Sequence, residues 1–187
     1  QVDFEINPNE EEKRTRKIDF SKNLYIDADD FSLDPPPKYF RLKKDGYVRL
    51  KSAYIIKCDE VVLDDNGQVK ELLCSFVENS KSGNDTSGIK CKGVIQWVNA
   101  ETAKDVEIRQ YGYLLNDEEY PGQDFALRMN KESVKIFNGK VEPYVMQNDK
   151  DVCYQLIRTG YFKRLDVKGK EVLSEIVSLK DNFNVKK

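Results

Sequence analysis

PPPKYFRLKKDGYVRLKSAYIIK, residues 35–57, gathers positive charge and aromatic side chains in one run. After the prolines it carries Lys38, Arg41, Lys43, Lys44, Arg49, Lys51 and Lys57 against one acid, Asp45. The whole chain is slightly acidic, with 31 Lys and Arg against 33 Asp and Glu, so this run is a local island of positive charge. It reads as two strands around a turn. In residues 39–43, a period of two places Tyr39, Arg41 and Lys43 on one face and Phe40 and Leu42 on the other. Lys44, Asp45 and Gly46 supply the turn chemistry. In residues 48–57, Val48, Leu50, Tyr54 and Ile56 share a face, and Arg49, Lys51 and Lys57 share the opposite one. Cations interleaved with Tyr suit nucleic acid, since the charges neutralise phosphates and the rings offer stacking surfaces. A solvated sheet face has the same pattern. The stretch alone leaves both readings open.

Composition narrows the classes. The 187 residues suffice for one large domain or two small ones with a real core. Charged residues make up 34% and hydrophobic ones 39%, which predicts a soluble chain. No window approaches the run of about 18 apolar residues that a membrane helix needs, and no signal peptide opens the sequence. Gln1 in place of Met predicts a fragment of a longer protein. There is no His, which removes His-containing zinc sites and Ser-His-Asp or Cys-His catalysis. Cys58, Cys74, Cys91 and Cys153 lack CxxC spacing and are expected as reduced, part-buried thiols. Cys58 and Cys74 flank an expected hairpin whose register the sequence leaves open. No metal site is expected.

Outward from the basic stretch, turn signals recur every 8–12 residues. Short strands are expected at 2–6, 17–20 and 23–26, with a turn at Asn7-Pro8-Asn9. Residues 27–30, Asp-Ala-Asp-Asp, read as a helix start or a solvated turn. The triproline at 35–37 reads as a stiff crossing between halves. Asp64-Asp65-Asn66-Gly67 between apolar runs is a hairpin signal, and Asn138-Gly139 is a second. Residues 79–88 read as a flexible loop. Residues 93–98 and 105–115 read as strands, with a helical turn expected between them at 100–105. Residues 117–122 read as an acidic turn and 124–134 as a short helix running into extended chain. Strands at 153–157, 160–165 and 170–179 complete the pattern. Many short strands with even spacing predict an all-β barrel or sandwich.

In this order, the motifs resemble a known family. The sequence is similar to the C-terminal anticodon-binding region of glutaminyl-tRNA synthetase, a class I aminoacyl-tRNA synthetase, from about residue 7 to 181. The resemblance rests on Asn7-Pro8-Asn9; Leu24-Tyr25-Ile26-Asp27 with Asp30-Phe31; Lys38-Tyr39-Phe40-Arg41-Leu42; and residues 48–57, VRLKSAYIIK. It continues through residues 92–98, KGVIQWV; 106–109, VEIR; and 158–162, RTGYF. The family fold implies two antiparallel β-barrels, with the anticodon loop splayed across both. With the triproline and hairpin spacing, the expected division is a proximal barrel of residues 1–34 plus 126–187 and a distal barrel of 38–125.

The resemblance also implies roles. Arg41 falls at the position that reads the third anticodon base, and Arg49 and Lys51 at positions near the first. Gln155 and Arg158 fall around the middle base, with Asn9 in support; Tyr39, Lys38, Lys43 and Lys44 add aromatic surface and charge. The implied partners are glutamine tRNA and a catalytic domain upstream in the same polypeptide, in the cytoplasm, with no membrane and no DNA. No catalytic residue is assigned here, because ATP and magnesium belong to the catalytic domain of such an enzyme. This chain departs from the family pattern at Gln96, usually His; at Gly112-Tyr113, usually Asp-Arg; at Ile157, commonly an acid; and at Lys51, often Arg, which replaces a planar fork by a point charge. Residues 177–181, VSLKD, stand where Val-Gly-Leu-Arg-Asp is common. Two alternatives are the corresponding region of a eukaryotic or archaeal glutamyl-tRNA synthetase and a non-catalytic β-barrel protein-interaction module.

Overall fold

Alternation of apolar and polar side chains along short strands decides which face of each turns inward. The computed structural model describes residues 1–116, 119–148 and 152–179. These residues form an all-β fold that divides into two units, Gln1–Glu101 and Thr102–Lys187.

The first unit holds β1 (Val2–Glu5), β2 (Thr15–Ile18), β3 (Leu24–Ile26), β4 (Tyr47–Leu50), β5 (Ile55–Leu63), β6 (Val69–Phe76), β7 (Val94–Ile95) and β8 (Trp97–Asn99). β1 pairs antiparallel with β2, and β3 with β8. The remaining strands form a four-stranded sheet in the order β6-β5-β4-β7, in which β4 and β7 run parallel. The described strands form open sheets rather than a closed ring.

One core joins the ends of this unit. Val2, Phe4 and Ile18 pack with Leu42, Val48, Leu50, Ile95 and Trp97. Phe4 meets the Trp97 ring edge-on at 5.8 Å and Phe20 does so at 5.2 Å. The Trp97 indole N–H donates to Lys51 O at 2.9 Å, so its polar edge is satisfied inside the core. Burying each large apolar side chain here contributes about 1.5–3 kcal/mol.

The second unit holds β9 (Lys104–Tyr111), α1 (Phe125–Arg128), β10 (Val134–Val141), α2 (Pro143–Gln147), β11 (Cys153–Leu156), β12 (Gly160–Val167) and β13 (Lys170–Ser178). Its sheet has the order β10-β9-β13-β12-β11, with β9 and β13 parallel. Val106, Ile108, Val141, Val145, Phe162 and Leu173 form its core. Arg164 is buried among them, donating to both Glu171 carboxylate oxygens at 2.7 and 3.1 Å and to the carbonyls of Val145, Met146 and Asn148. It thereby caps the end of α2.

Val2, Phe4 and Ile18 complete the core around Trp97, β9 pairs along its whole length with β10, and the triproline lies within the first unit. Local expectations are corrected. Residues 39–43 form no strand; isolated bridges at Leu42 and Lys44 take its place. Residues 48–57 are not one strand either, since the chain turns at 51–53 with Ser52 at φ 58°.

Asn138-Gly139 is no hairpin, because β10 runs through it opposite Glu107 and Val106. Gly139 is there for space: a Cβ would lie 2.5 Å from Ile108 Cδ1. The helical turn expected at 100–105 is a hydrogen-bonded turn leading into β9. Of the acidic turn at 117–122, residues 117 and 118 lie outside the described residues, as do Lys180 and Asp181 of the expected terminal motif.

The Asp64–Gly67 hairpin forms as read, with the Asp64 carboxylate accepting from Asn66 N at 2.9 Å and Gln68 N at 2.8 Å. Among the described residues no helix is long and apolar enough to cross a membrane.

Candidate nucleic-acid interface

The basic stretch is organised by the acids before it. Residues 28–30 form one 3-10 turn whose Asp30 is fully buried. Arg41 Nη1 donates to Asp29 O at 2.8 Å, and its Nε lies 3.5 Å from Asp30 Oδ1. The Tyr39 hydroxyl donates to the same Asp29 carbonyl at 3.1 Å. The guanidinium is therefore aimed before any ligand arrives. Its side chain keeps 35% exposure, and neither contact uses Nη2. Sequence reading took residues 27–30 as a helix start or solvated turn; the turn forms, but Asp30 is an interior counter-charge.

Gly93 fixes the height of this segment. A Cβ there would sit 1.6 Å from Phe40 O, so only a glycine lets the Phe40–Arg41 backbone cross that strand entry. Phe40, expected to face inward with Leu42, is half-exposed, while Leu42 is fully buried. Lys92 Nζ lies 5.3 Å over the Phe40 ring. Lys38, Lys43 and Lys44 are exposed around it, Lys38 at φ 65°. The turn at Asp45 closes through Gly46 N to Lys43 O at 3.0 Å.

Arg49 is held differently. It lies in β4 and donates through Nη1 to Ser80 O at 2.7 Å and through Nη2 to the Asp85 carboxylate. Hydrogen bonds from Ser87, hydroxyl first and amide second, and then Arg49 hold Asp85 below the usual carboxylate range. Residues 79–88, expected as a flexible loop, are stitched down. Ser80 is buried, its hydroxyl accepts Ile55 N–H at 2.9 Å, and Ser82 N donates to Ala53 O at 2.8 Å. Lys51 is exposed in the turn after β4, with its backbone N–H on Ile95 O at 2.9 Å. Lys57, counted with the island, turns to Asp59 at 3.2 Å, and that hydrogen bond raises its pKa. Asn9 is exposed in its own turn, its N–H on Asn7 Oδ1 at 3.0 Å.

The second unit holds the other two candidates. β11 and β12 form a hairpin in which Gln155 is exposed opposite Tyr161. Arg158 sits in the connecting turn at φ 68°, closed by Thr159 N to Leu156 O at 2.9 Å. A left-handed conformation at a non-glycine residue commits the backbone to present that side chain from the turn. Sequence reading missed the Asp85 clamp, the Asp29–Asp30 anchor and Lys92. The first two join residues far apart in the chain; Lys92 was visible as a cation beside Gly93.

Comparison with known proteins gives a consistent result. The family model described as tRNA synthetases class I (E and Q), anti-codon binding domain, matches residues 1–77. A second model of the same description matches residues 94–164. The chain is 40% identical over 190 residues to a glutamine–tRNA ligase of Clostridium perfringens, covering 99% of this chain and 34% of that protein. It is 41% identical over 189 residues to the Clostridium kluyveri ligase, covering 97% and 34%. It is 39% identical over 195 residues to that of Neisseria meningitidis serogroup A, covering 97% and 34%. The chain thus spans about a third of the length of the curated relatives it matches.

Proposed function

Because the chain belongs to the anticodon-binding domain family of the class I tRNA synthetases (E and Q), we propose that it reads the anticodon loop of glutamine tRNA. In this reading it serves a glutamine–tRNA ligase whose catalytic domain lies elsewhere in the same polypeptide. The observation that carries the proposal is that relatives matched over nearly the whole chain are glutamine–tRNA ligases. Attachment of glutamine with ATP and magnesium belongs to the rest of such an enzyme. No group of three His, Cys, Asp or Glu gathers among the described residues to hold a metal. A cytoplasmic setting accords with protein synthesis.

Arg41 is the base reader in this proposal. Guanine presents O6 and N7 acceptors, and Arg41, with Nη1 on Asp29 O and Nε 3.5 Å from Asp30 Oδ1, offers Nη2 to one of them. Arg49 has both terminal nitrogens engaged by Ser80 and Asp85, so its role near the first base is to hold the 79–88 loop beside β4. Lys51, following on β4, supplies the exposed charge at that base. Gln155 is suited to an unstacked uracil edge, since its amide both donates and accepts. Arg158 accompanies it from the turn. Lys38, Lys43 and Lys44 meet phosphates, Tyr39 positions Arg41, and Asn9 supports the loop.

The test is direct binding of this chain to glutamine tRNA beside glutamate tRNA, whose anticodons differ at the third base. Preference for glutamine tRNA supports the proposal. Preference for glutamate tRNA assigns the chain to the glutamate branch of the same family, and salt-insensitive absence of tRNA binding refutes both.

A further inference from the structure

Cys58 of β5 and Cys74 of β6 are partners in the antiparallel ladder. The backbone shows which kind of partners they are. Cys58 N–H donates to Gly46 O at 3.2 Å, and Cys58 O accepts from Asp45 N–H at 2.8 Å. Both groups therefore point away from β6. Ile55, of opposite parity, gives its carbonyl to Val77 N–H on the β6 side at 2.8 Å. A residue turned this way forms a non-hydrogen-bonded pair, in which Cα atoms stand about 4.5 Å apart and side chains approach most closely. Disulfides bridge Cα separations of roughly 4.4–6.8 Å. Both thiols are free, and Cys58 Sγ donates to Glu60 O at 3.7 Å. The ladder slips directly after Cys58, a bulge that adds twist at the pair.

We propose that Cys58 and Cys74 are a reversible disulfide site, formed by exchange with a low-molecular-weight disulfide. The Cys74 residue is exposed and Cys58 is buried, so Cys74 reacts first. Its thiolate attacks one sulfur of the reagent, expels one thiolate and becomes a mixed disulfide. The Cys58 thiolate then attacks Cys74 Sγ and expels the second. The two cysteines lose two electrons and two protons, and the reagent becomes two thiols. Burial pushes the Cys58 thiol up; although the Cys74 residue is exposed, its sulfur is partly desolvated beside Cys58, which pushes its thiol up to about 12. Exchange is accordingly slow near neutral pH and quickens with alkalinity, and once formed the bond has poor leaving groups for re-reduction. The backbone of Cys58 also holds the Asp45–Gly46 turn, so the bond ties β6 to the segment that carries Lys43 and Lys44.

The experiment uses the full chain with Cys91→Ser and Cys153→Ser, leaving this pair alone. It is incubated with oxidised glutathione at mildly alkaline pH, then denatured, alkylated and mapped by mass. Expected is a mass two hydrogens lighter, with neither cysteine alkylated, no lasting glutathione adduct, and full reversal by dithiothreitol. Adding Cys58→Ser should stop the reaction at a glutathione adduct on Cys74. Accumulation of that adduct with Cys58 still alkylated, or both thiols still alkylated after the incubation, would overturn the proposal.

Discussion

Replacing Arg164 by Met tests whether the second unit depends on one buried charge. The side chain loses two bonds to Glu171, at 2.7 and 3.1 Å, and bonds to three carbonyls at 2.8, 2.9 and 3.2 Å. Removing one partner of a fully buried pair costs about 3–5 kcal/mol, because the other is left uncompensated. Glu171 is 36% exposed and can rehydrate, which lowers that part of the loss. The carbonyls of Val145, Met146 and Asn148 lose a charged donor at the end of α2, so about 2–4 kcal/mol of stability should disappear. Glu171→Gln should cost less, since the three carbonyl bonds survive. Arg164→Lys should fall between, keeping charge but losing the planar fork. The assay is urea unfolding followed by far-ultraviolet circular dichroism, with amide exchange in β12 and β13 as the local readout. A loss below about 0.5 kcal/mol for Arg164→Met, the size of an ordinary surface change, would refute the reasoning.

Other outcomes follow from the first unit. Arg41→Ala should cost about 1–3 kcal/mol with cognate tRNA and relax discrimination at the third anticodon base, whereas Lys44→Ala should weaken every anticodon variant alike and flatten the salt slope; filter binding at two salt concentrations separates them. Gly93→Ala should destabilise the protein and weaken tRNA binding together, because its Cβ would meet Phe40 O at 1.6 Å; unchanged thermal unfolding would contradict the close crossing. Asp85 is depressed in the folded chain, so its contribution is present above the unfolded value of about 3.9 and is lost as pH falls through the lower folded value. Acid unfolding of Asp85→Asn should accordingly show a shallower decline than wild type below about pH 4.

The fold class was legible because strands announce themselves locally. The same dipeptide shows where this stops. Asn66-Gly67 turns, with Gly67 at φ 74° and Asp64 bracing the loop. Asn138-Gly139 runs straight, because its neighbour is β9 and its missing side chain makes room for Ile108. Which outcome applies depends on a strand distant in sequence. The core that Phe4 and Trp97 share was hidden for the same reason, since nothing near either residue records the other. At the candidate interface, the charges of Arg41, Arg49 and Lys51 were plain from spacing. Their states were not. Asp30 and Asp85 read as ordinary polar residues, yet the first anchors a guanidinium from the interior and the second occupies one. Long-range counter-charges decide which cations remain available to a ligand.

A chain that reads anticodon bases, as proposed above, discriminates between RNAs that one binding only phosphates treats alike. The most direct measurement compares its affinity for glutamine tRNA with that for the same tRNA carrying one substituted anticodon base, at fixed salt. A loss of about 1–3 kcal/mol is expected at the third position, disappearing in Arg41→Ala. Equal affinity for the two RNAs, with the same salt slope, would contradict it.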